Sequence, residues 1–424
     1  MRQARTARPD GRRGFAVRAG GALVDQVLSS GTQLLLLVLA ARVADPTTFG
    51  ALSVALIVHG FLLGVMRAAI GEVVLLRCRA RPSAHRGEAR LGLFLALLAG
   101  AVSALGLLAA SIAIGGEVGH FLLLVAVAAP LVHAQDLIRY IAYGAERIEQ
   151  AILVDGVWLG LQVVASALLL AVGDPTVEGF VLAWVAGAGT GALVGVVMQR
   201  LRPRPVAVGD WWRDERARIG GFVGDYLLST GIMQAGFILL SVLMPLDQFA
   251  ALRVALVALS PLANLLAGMR ILTLAQLGGL RDRPARAFRR AMHLGLGLSG
   301  IAAAYGAVIV SMPRSWGSEV FGANWAEAST LVAIVAVDEM LRMGTFAAID
   351  LVKVLGAPMD LVRTRLGTAI GRLSGLLVGA AVAGPRGAAI GGVLGAVVMA
   401  ITWWRQARIV RQRSTTEHDP AVFM

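Results

Sequence analysis

Long apolar stretches run through the whole chain, and they constrain its fold more than any other feature of the sequence. Twelve stretches reach the roughly 20 residues that a helix needs to cross a membrane. They lie at about 20–44, 47–76, 89–114, 118–144, 147–172, 176–199, 220–244, 247–276, 286–312, 325–352, 357–383 and 387–409. Only 15% of the 424 residues are charged, against roughly 25% in soluble domains. The sequence therefore predicts an all-α polytopic membrane protein with about twelve transmembrane helices.

Basic residues are concentrated in every second connection between these predicted helices. Most of the 39 basic residues lie in the segments 2–18, 77–90, 200–218, 281–290 and 405–413. Short cytoplasmic loops collect Arg and Lys, whereas loops on the opposite face do not. The pattern predicts a multi-pass protein of the cytoplasmic (plasma) membrane with both termini in the cytoplasm. It also accounts for most of the net charge of +13, so no nucleic-acid partner is predicted.

Two stretches, beginning at Gly20 and Gly220, share small and polar residues in the same order. The matched pairs include Asp25 with Asp225, Ser29 with Ser229, Phe49 with Phe249, and Arg67 with Arg270. Internal duplications of this kind occur in many transporters, and an even number of helices per copy makes the two copies parallel. We therefore predict two pseudo-symmetric six-helix lobes. The predicted boundaries are a basic tail at 1–19, an N-lobe at 20–200, a cytoplasmic linker at 201–219, a C-lobe at 220–410 and a tail at 411–424.

Ionisable residues within the predicted helices are the candidates for function, because a charge at bilayer depth is costly unless it is paired or faces water. The arginines predicted to bind substrate are Arg67, Arg253, Arg270, Arg342 and Arg372. The carboxylates predicted to form ion pairs or to couple transport to an ion are Asp25, Glu72, Asp225, Asp338 and Glu339. Asp136, Arg139 and Asp155 also lie inside predicted helices, with no role assigned.

The repeat-matched charges have two interpretations. In the first, Asp25 pairs with Arg67, and Asp225 pairs with Arg270, as contacts between neighbouring helices. In the second, the two arginines face a water-filled cavity between the lobes and bind an anionic head group. A guanidinium group suits that role because it engages phosphate oxygens with two parallel hydrogen bonds and stays charged. The two interpretations are compatible, since an aspartate can hold an arginine in place for a ligand.

Three further charges lie close together on one predicted helix. Asp338 and Arg342 are four residues apart, so one helix face can hold both as an ion pair. The alternative is that Asp338 or Glu339 couples transport to a proton or sodium ion.

Several chemistries are not predicted. The single cysteine, Cys78, excludes an intrachain disulfide and a cysteine metal cluster. The chain has no glycine-rich nucleotide-binding loop with the Gly-Lys-Ser/Thr ending, so ATP is not expected to power it. No cofactor and no metal site are predicted, and the short outer loops argue against a membrane-integral glycan polymerase or ligase. We therefore do not expect an enzyme.

The first helices resemble those of a known superfamily. The stretch Gly20–Arg42, GGALVDQVLSSGTQLLLLVLAAR, is followed by ADPTTFGAL at 44–52. This start resembles the multidrug/oligosaccharidyl-lipid/polysaccharide (MOP) superfamily, and more narrowly its polysaccharide-biosynthesis flippases of MATE-like fold. The resemblance implies two lobes arranged as a V, alternating access, and cavity arginines on helices 1, 2 and 8 that engage a pyrophosphate. Arg67 and Arg270 fall on helices 2 and 8, whereas helix 1 carries Asp25 instead of an internal arginine.

The resemblance predicts a flippase that moves a lipid-linked oligosaccharide or polysaccharide precursor across the membrane. Its implied partners are a polyprenyl-pyrophosphate-linked glycan, membrane lipids and glycan-assembly proteins. The alternative is a cation-coupled multidrug exporter of the same superfamily, whose cavity would be rich in carboxylates and aromatic residues.

Overall fold

The computed structural model describes residues 10–416 apart from Arg81, Asp174 and Ala207. It describes the side chains of these residues except at 10–19, 22, 82, 264–272, 275, 358, 415 and 416. Every regular element in this part of the chain is helical, which confirms the predicted all-α class.

Twelve long helices lie within the described residues. They are α1 (Asp10–Val43), α2 (Pro46–Ala80), α3 (His85–Ile114), α4 (Gly116–Gly144), α5 (Ile148–Val172), α6 (Val177–Gln199), α7 (Val208–Leu243), α8 (Leu246–Gly278), α9 (Pro284–Ser311), α10 (Trp325–Leu355), α11 (358–382) and α12 (385–416). The last two are separated only by Ala383 and Gly384, whose backbone angles are not helical. Among the described residues, eleven candidate spans are long and apolar enough to cross a membrane, and the last of them, Met359–Ser414, runs across this break and includes parts of both α11 and α12.

Two helices begin before the predicted boundaries of their lobes. The predicted tail at 1–19 becomes helical at Asp10, where α1 begins, and the predicted linker at 201–219 becomes helical at Val208, where α7 begins. Trp211, Glu215 and Ile219 are spaced four residues apart on α7 and are all buried. They form a stripe against the N-lobe, in which Trp211 and Ile219 join an apolar cluster and Glu215 pairs with Arg77 at 2.9 Å. Residues 201–206 are therefore non-helical, and the predicted linker from Val208 onward belongs to α7, the first helix of the C-lobe.

Both α2 and α7 contain a π-helical turn, at Arg67–Gly71 and Leu227–Gly231 respectively. Such turns are rare and are frequent at functional sites. The two helices meet just before these turns, where the Tyr226 hydroxyl donates a hydrogen bond to the Phe61 carbonyl at 3.1 Å. A Cβ on Gly64 would lie 2.2 Å from the Tyr226 ring. The close approach therefore requires glycine and joins the N-lobe to the first helix of the C-lobe.

The lobes also meet where α1 ends, on the face that the arginine pattern predicts to be extracellular. Asn324 donates hydrogen bonds from Nδ2 to the carbonyl oxygens of Ala41 and Ala44, both at 2.8 Å. A Cβ on Gly50 would lie 2.3 Å from the Leu246 carbonyl oxygen. These contacts bring the predicted outer ends of α1, α2 and α8 together.

Candidate functional site

A buried ion-pair network lies in the N-lobe, with Arg139 of α4 at its centre. Arg139 Nη2 lies 2.6 Å from Asp25 Oδ2 of α1, and Nη1 lies 3.1 Å from Asp136 Oδ1, one turn earlier on α4. Its Nε lies 3.0 Å from Asp155 Oδ2 of α5, although the angle does not suit a hydrogen bond. All four side chains are buried. One arginine therefore compensates carboxylates from three helices.

Arg67 extends this network towards the π-helical turn of α2. Its guanidinium group makes two hydrogen bonds to Asp136, Nε to Oδ2 at 2.8 Å and Nη2 to Oδ1 at 2.7 Å. The Arg67 side chain is 41% exposed, whereas that of Asp136 is only 2% exposed. The arginine is thus held from behind by a buried carboxylate and remains accessible on its other side.

Hydrogen bonds from neutral side chains complete the network. Gln135 donates a hydrogen bond from Nε2 to Asp155 Oδ1 at 2.5 Å, and the Tyr143 hydroxyl donates one to Asp25. Such hydrogen bonds stabilise buried carboxylates. Counting Arg67 with Arg139 against the three aspartates, the network carries one negative charge in excess when all five groups are ionised.

A cavity of about 350 Å³ opens beside this network. Arg67, Asp136 and Arg139 line it. Its lining also includes the aromatic residues Tyr140, Tyr143, Trp158 and Trp184. Polar side chains from α1, including Gln26 and Gln33, contribute as well. The cavity thus combines a charged wall with aromatic surface, within reach of α1, α2, α4, α5 and α6.

Two of the ion pairs in the C-lobe involve arginines that the sequence predicts to bind substrate. Arg342 Nη1 lies 2.6 Å from Glu339 Oε2, three residues earlier on α10. Arg372 Nη2 of α11 lies 2.6 Å from Asp338 Oδ2. Arg342 is 37% exposed and Glu339 only 6%, so this pair too presents its arginine and conceals its carboxylate.

Arg253 of α8 has a different environment. It lines a cavity of about 200 Å³ together with Ser30 and Gln33 of α1, and both of these α1 residues also line the N-lobe cavity. Its guanidinium carbon lies 5.7 Å from the centre of the Phe237 ring. Within the described side chains it has no acidic partner, and its buried Nε has no hydrogen-bond partner. It is a cation at the junction of the two lobes.

Two predicted pairings are wrong. Asp25 pairs with Arg139 rather than with Arg67, because α2 packs along α4 and its nearest carboxylate is Asp136. Asp338 pairs with Arg372 rather than with Arg342. Residues three apart on a helix face each other as readily as residues four apart, and Arg342 forms its ion pair with Glu339, three residues earlier.

The remaining predicted site residues are not brought to one place. Asp225 pairs with Arg365 of α11 and is 59% exposed, unlike its buried repeat-matched partner Asp25. Arg270 lies on α8, but its side chain is outside the described part of the structure, and so is the predicted pairing with Asp225. Glu72 follows the π-helical turn of α2 and is exposed.

The sequence did not single out the centre of the network. Asp136 and Arg139, three residues apart within an apolar run, were a visible signal, since a helix places them side by side. Asp155 and the aromatic lining had no such signal, because they come from other helices and only packing brings them together.

No protein-family model matches the chain, and no curated protein matches it. Solved structures do match over nearly the whole length.

An inward-facing multidrug resistance MATE family transporter of the MOP superfamily is 15% identical, with a TM-score of 0.74, over 93% of this chain and 96% of that one. An outward-facing transporter of the same description is 14% identical, with a TM-score of 0.65, over 94% and 96%. A MOP superfamily transporter from Pyrococcus furiosus, for which a reversed binding-pocket polarity suggests a different function, is 14% identical, with a TM-score of 0.63, over 94% and 96%. This chain is a multi-pass membrane protein with the fold of the MATE transporters of the MOP superfamily.

Proposed function

We propose that the chain is a secondary transporter that exports drug-sized organic molecules in exchange for a proton or another cation. The observation that carries the proposal is the N-lobe cavity. Its volume of about 350 Å³ lies in the range of roughly 300–1,000 Å³ typical of sites for such ligands. Its wall joins four aromatic rings to the network of three aspartates and two arginines. The shared fold with multidrug resistance MATE transporters supports this proposal.

The charge balance of the network supports coupling to a cation. Two guanidinium groups cannot neutralise Asp25, Asp136 and Asp155 together, and an uncompensated charge in a buried site is costly. Binding of one proton or one monovalent cation restores neutrality. A transporter that binds the cation on one side of the membrane and substrate on the other can use this balance to drive exchange.

A second candidate function is the flipping of a lipid-linked glycan precursor. The observation that favours it is the way the arginines are presented. Arg67 and Arg342 are exposed in front of buried carboxylates, and Arg253 has no acidic partner among the described side chains. Such guanidinium groups suit a pyrophosphate. The Pyrococcus furiosus transporter of this fold, for which a reversed binding-pocket polarity suggests a different function, supports considering a function other than drug export.

One reconstitution experiment separates the two functions. Proteoliposomes would be loaded with a planar aromatic dye, or prepared with a fluorescent polyprenyl-pyrophosphate disaccharide in the inner leaflet, and a proton or sodium gradient applied. We expect gradient-driven movement of the dye and no faster appearance of the labelled lipid on the outside than in empty liposomes. Movement of the labelled lipid without movement of the dye would overturn the exporter proposal and support the flippase.

A further inference from the structure

A second, larger cavity lies in the C-lobe, away from the N-lobe network. It has a volume of about 790 Å³ and lies between α9 and α12, with α10 as its floor. Leu296 of α9 and Ile401 of α12 both line it and are 67% and 64% exposed. Side chains this apolar and this exposed on a membrane protein face lipid. The cavity is therefore a groove on the surface of the lobe.

The groove is built into the packing of the three helices. Gly295 of α9 and Gly344 of α10 allow the two helices to pack closely beneath the groove, since a Cβ on Gly295 would lie 2.6 Å from the Gly344 carbonyl oxygen. The Ser299 hydroxyl donates a hydrogen bond to the Met340 carbonyl at 3.0 Å, which ties α9 to α10. The ring of Trp404 on α12 closes the inner side of the groove, because a Cβ on Gly295 would lie 3.0 Å from its Cζ2 atom. The outer side, between Leu296 and Ile401, is apolar and exposed, and such a surface suits a flexible hydrocarbon chain.

One end of the groove carries positive charge. Arg405 and Arg408 of α12 line it, and both are exposed. No acidic residue lines the groove, and in the described part of the chain neither arginine has a hydrogen bond or an ion pair. Two arginines one turn apart at the end of an apolar groove form a site for a phosphate oxygen.

The dimensions match one leaflet of a bilayer. From Phe288 to Ser299 the groove follows twelve residues of α9, whose Cα atoms span about 16 Å along the axis at about 1.5 Å per step. Half of a hydrocarbon core of roughly 30 Å is about 15 Å. The arginines lie at the end that the positive-inside pattern predicts to be cytoplasmic. The charged end would thus lie at the head-group level and the apolar part of the groove at acyl-chain depth.

We propose that this groove binds an anionic phospholipid of the inner leaflet. An acyl chain lies along the groove between Leu296 and Ile401, and the phosphate group accepts hydrogen bonds from Arg405 and Arg408. The site is separate from the N-lobe cavity, so the inference does not depend on which substrate the protein transports.

The test is native mass spectrometry of the full chain in detergent, titrated with phosphatidylglycerol or with phosphatidylcholine of the same acyl chains. We expect a saturable phosphatidylglycerol adduct and a much weaker phosphatidylcholine adduct. At about fivefold per arginine, the R405Q/R408Q variant should bind phosphatidylglycerol about 25-fold more weakly. Ala400→Trp, which places an indole ring in the groove, should weaken both lipids.

The matched control is R202Q/R204Q, which removes two exposed arginines from the same predicted face of the N-lobe and should leave binding unchanged. Three results would overturn the proposal. The first is equal binding of the two lipids, and the second is an equal loss in the control variant. The third is competition by glycerol phosphate at concentrations similar to the lipid, because the ligand would then be a soluble phosphate.

Discussion

Replacing Arg139 by glutamine should destabilise the protein more than any other single loss of charge in the described part of the chain. The substitution leaves Asp25 and Asp155 buried without a cation, while Asp136 keeps its two hydrogen bonds to Arg67. Breaking a buried pair by removing one partner costs about 3–5 kcal/mol. Since Arg139 serves two otherwise uncompensated aspartates, we expect a loss near the upper value.

The measurement is equilibrium unfolding of the purified protein in mixed micelles, followed by helical circular dichroism. Arg365→Gln is the matched control, because it breaks a single pair with Asp225, whose side chain is 59% exposed. Pairs of that kind contribute less than about 1 kcal/mol. Arg139→Lys keeps one charge but not the three-way geometry, and its stability should lie between the wild type and Arg139→Gln.

A double-variant cycle identifies the mechanism. Combining Arg139→Gln with Asp25→Asn removes one of the stranded charges, so the double variant should be more stable than Arg139→Gln alone. The reasoning is refuted if Arg139→Gln costs no more than Arg365→Gln, or if Asp25→Asn adds a further loss on the Arg139→Gln background.

Three further predictions concern the contacts between and within the lobes. Gly64→Ala should lower the free energy of unfolding by about 1–3 kcal/mol, because its Cβ would lie 2.2 Å from the Tyr226 ring. In unfolding titrations, adding Tyr226→Ala to Gly64→Ala should restore much of that stability, and no restoration would contradict the contact. Asn324→Ala removes two hydrogen bonds of about 1 kcal/mol each, so hydrogen exchange at the end of α1 should speed up about 30-fold, whereas unchanged exchange would place the lobe contact elsewhere. Hydrogen bonds from the Thr48 hydroxyl and amide lower the pKa of Asp45 at the start of α2. In unfolding titrations the wild type should therefore be more stable than Asp45→Asn at neutral pH, and this difference should be lost as the pH falls through the lowered pKa. The same dependence of stability on pH in both proteins would refute this.

Much of the fold could be predicted because it depends on the length and spacing of apolar runs. The break between α11 and α12 is an example, since Gly384 and Pro385 interrupt the final apolar segment and the helix breaks at Ala383 and Gly384. The start of α7 could not be located in this way. Its first turns are polar, and only the stripe of Trp211, Glu215 and Ile219 against the N-lobe explains their order.

The site was predicted less well than the fold because ion pairing depends on which helices are neighbours. Positions matched by the duplication need not have the same surroundings in the two lobes. Asp25 is buried, whereas its matched residue Asp225 is exposed. Pairs within one helix can be inferred from spacing, although Glu339 rather than Asp338 binds Arg342. The network around Arg139 joins three helices, and no local pattern in the sequence predicts that.

Asp155→Asn tests the central claim most directly, because it removes the excess negative charge and leaves two aspartates opposite two arginines. We predict that the variant keeps downhill exchange of the aromatic dye in proteoliposomes and loses accumulation of the dye driven by a proton or sodium gradient. Gradient-driven accumulation at the wild-type level would contradict the account.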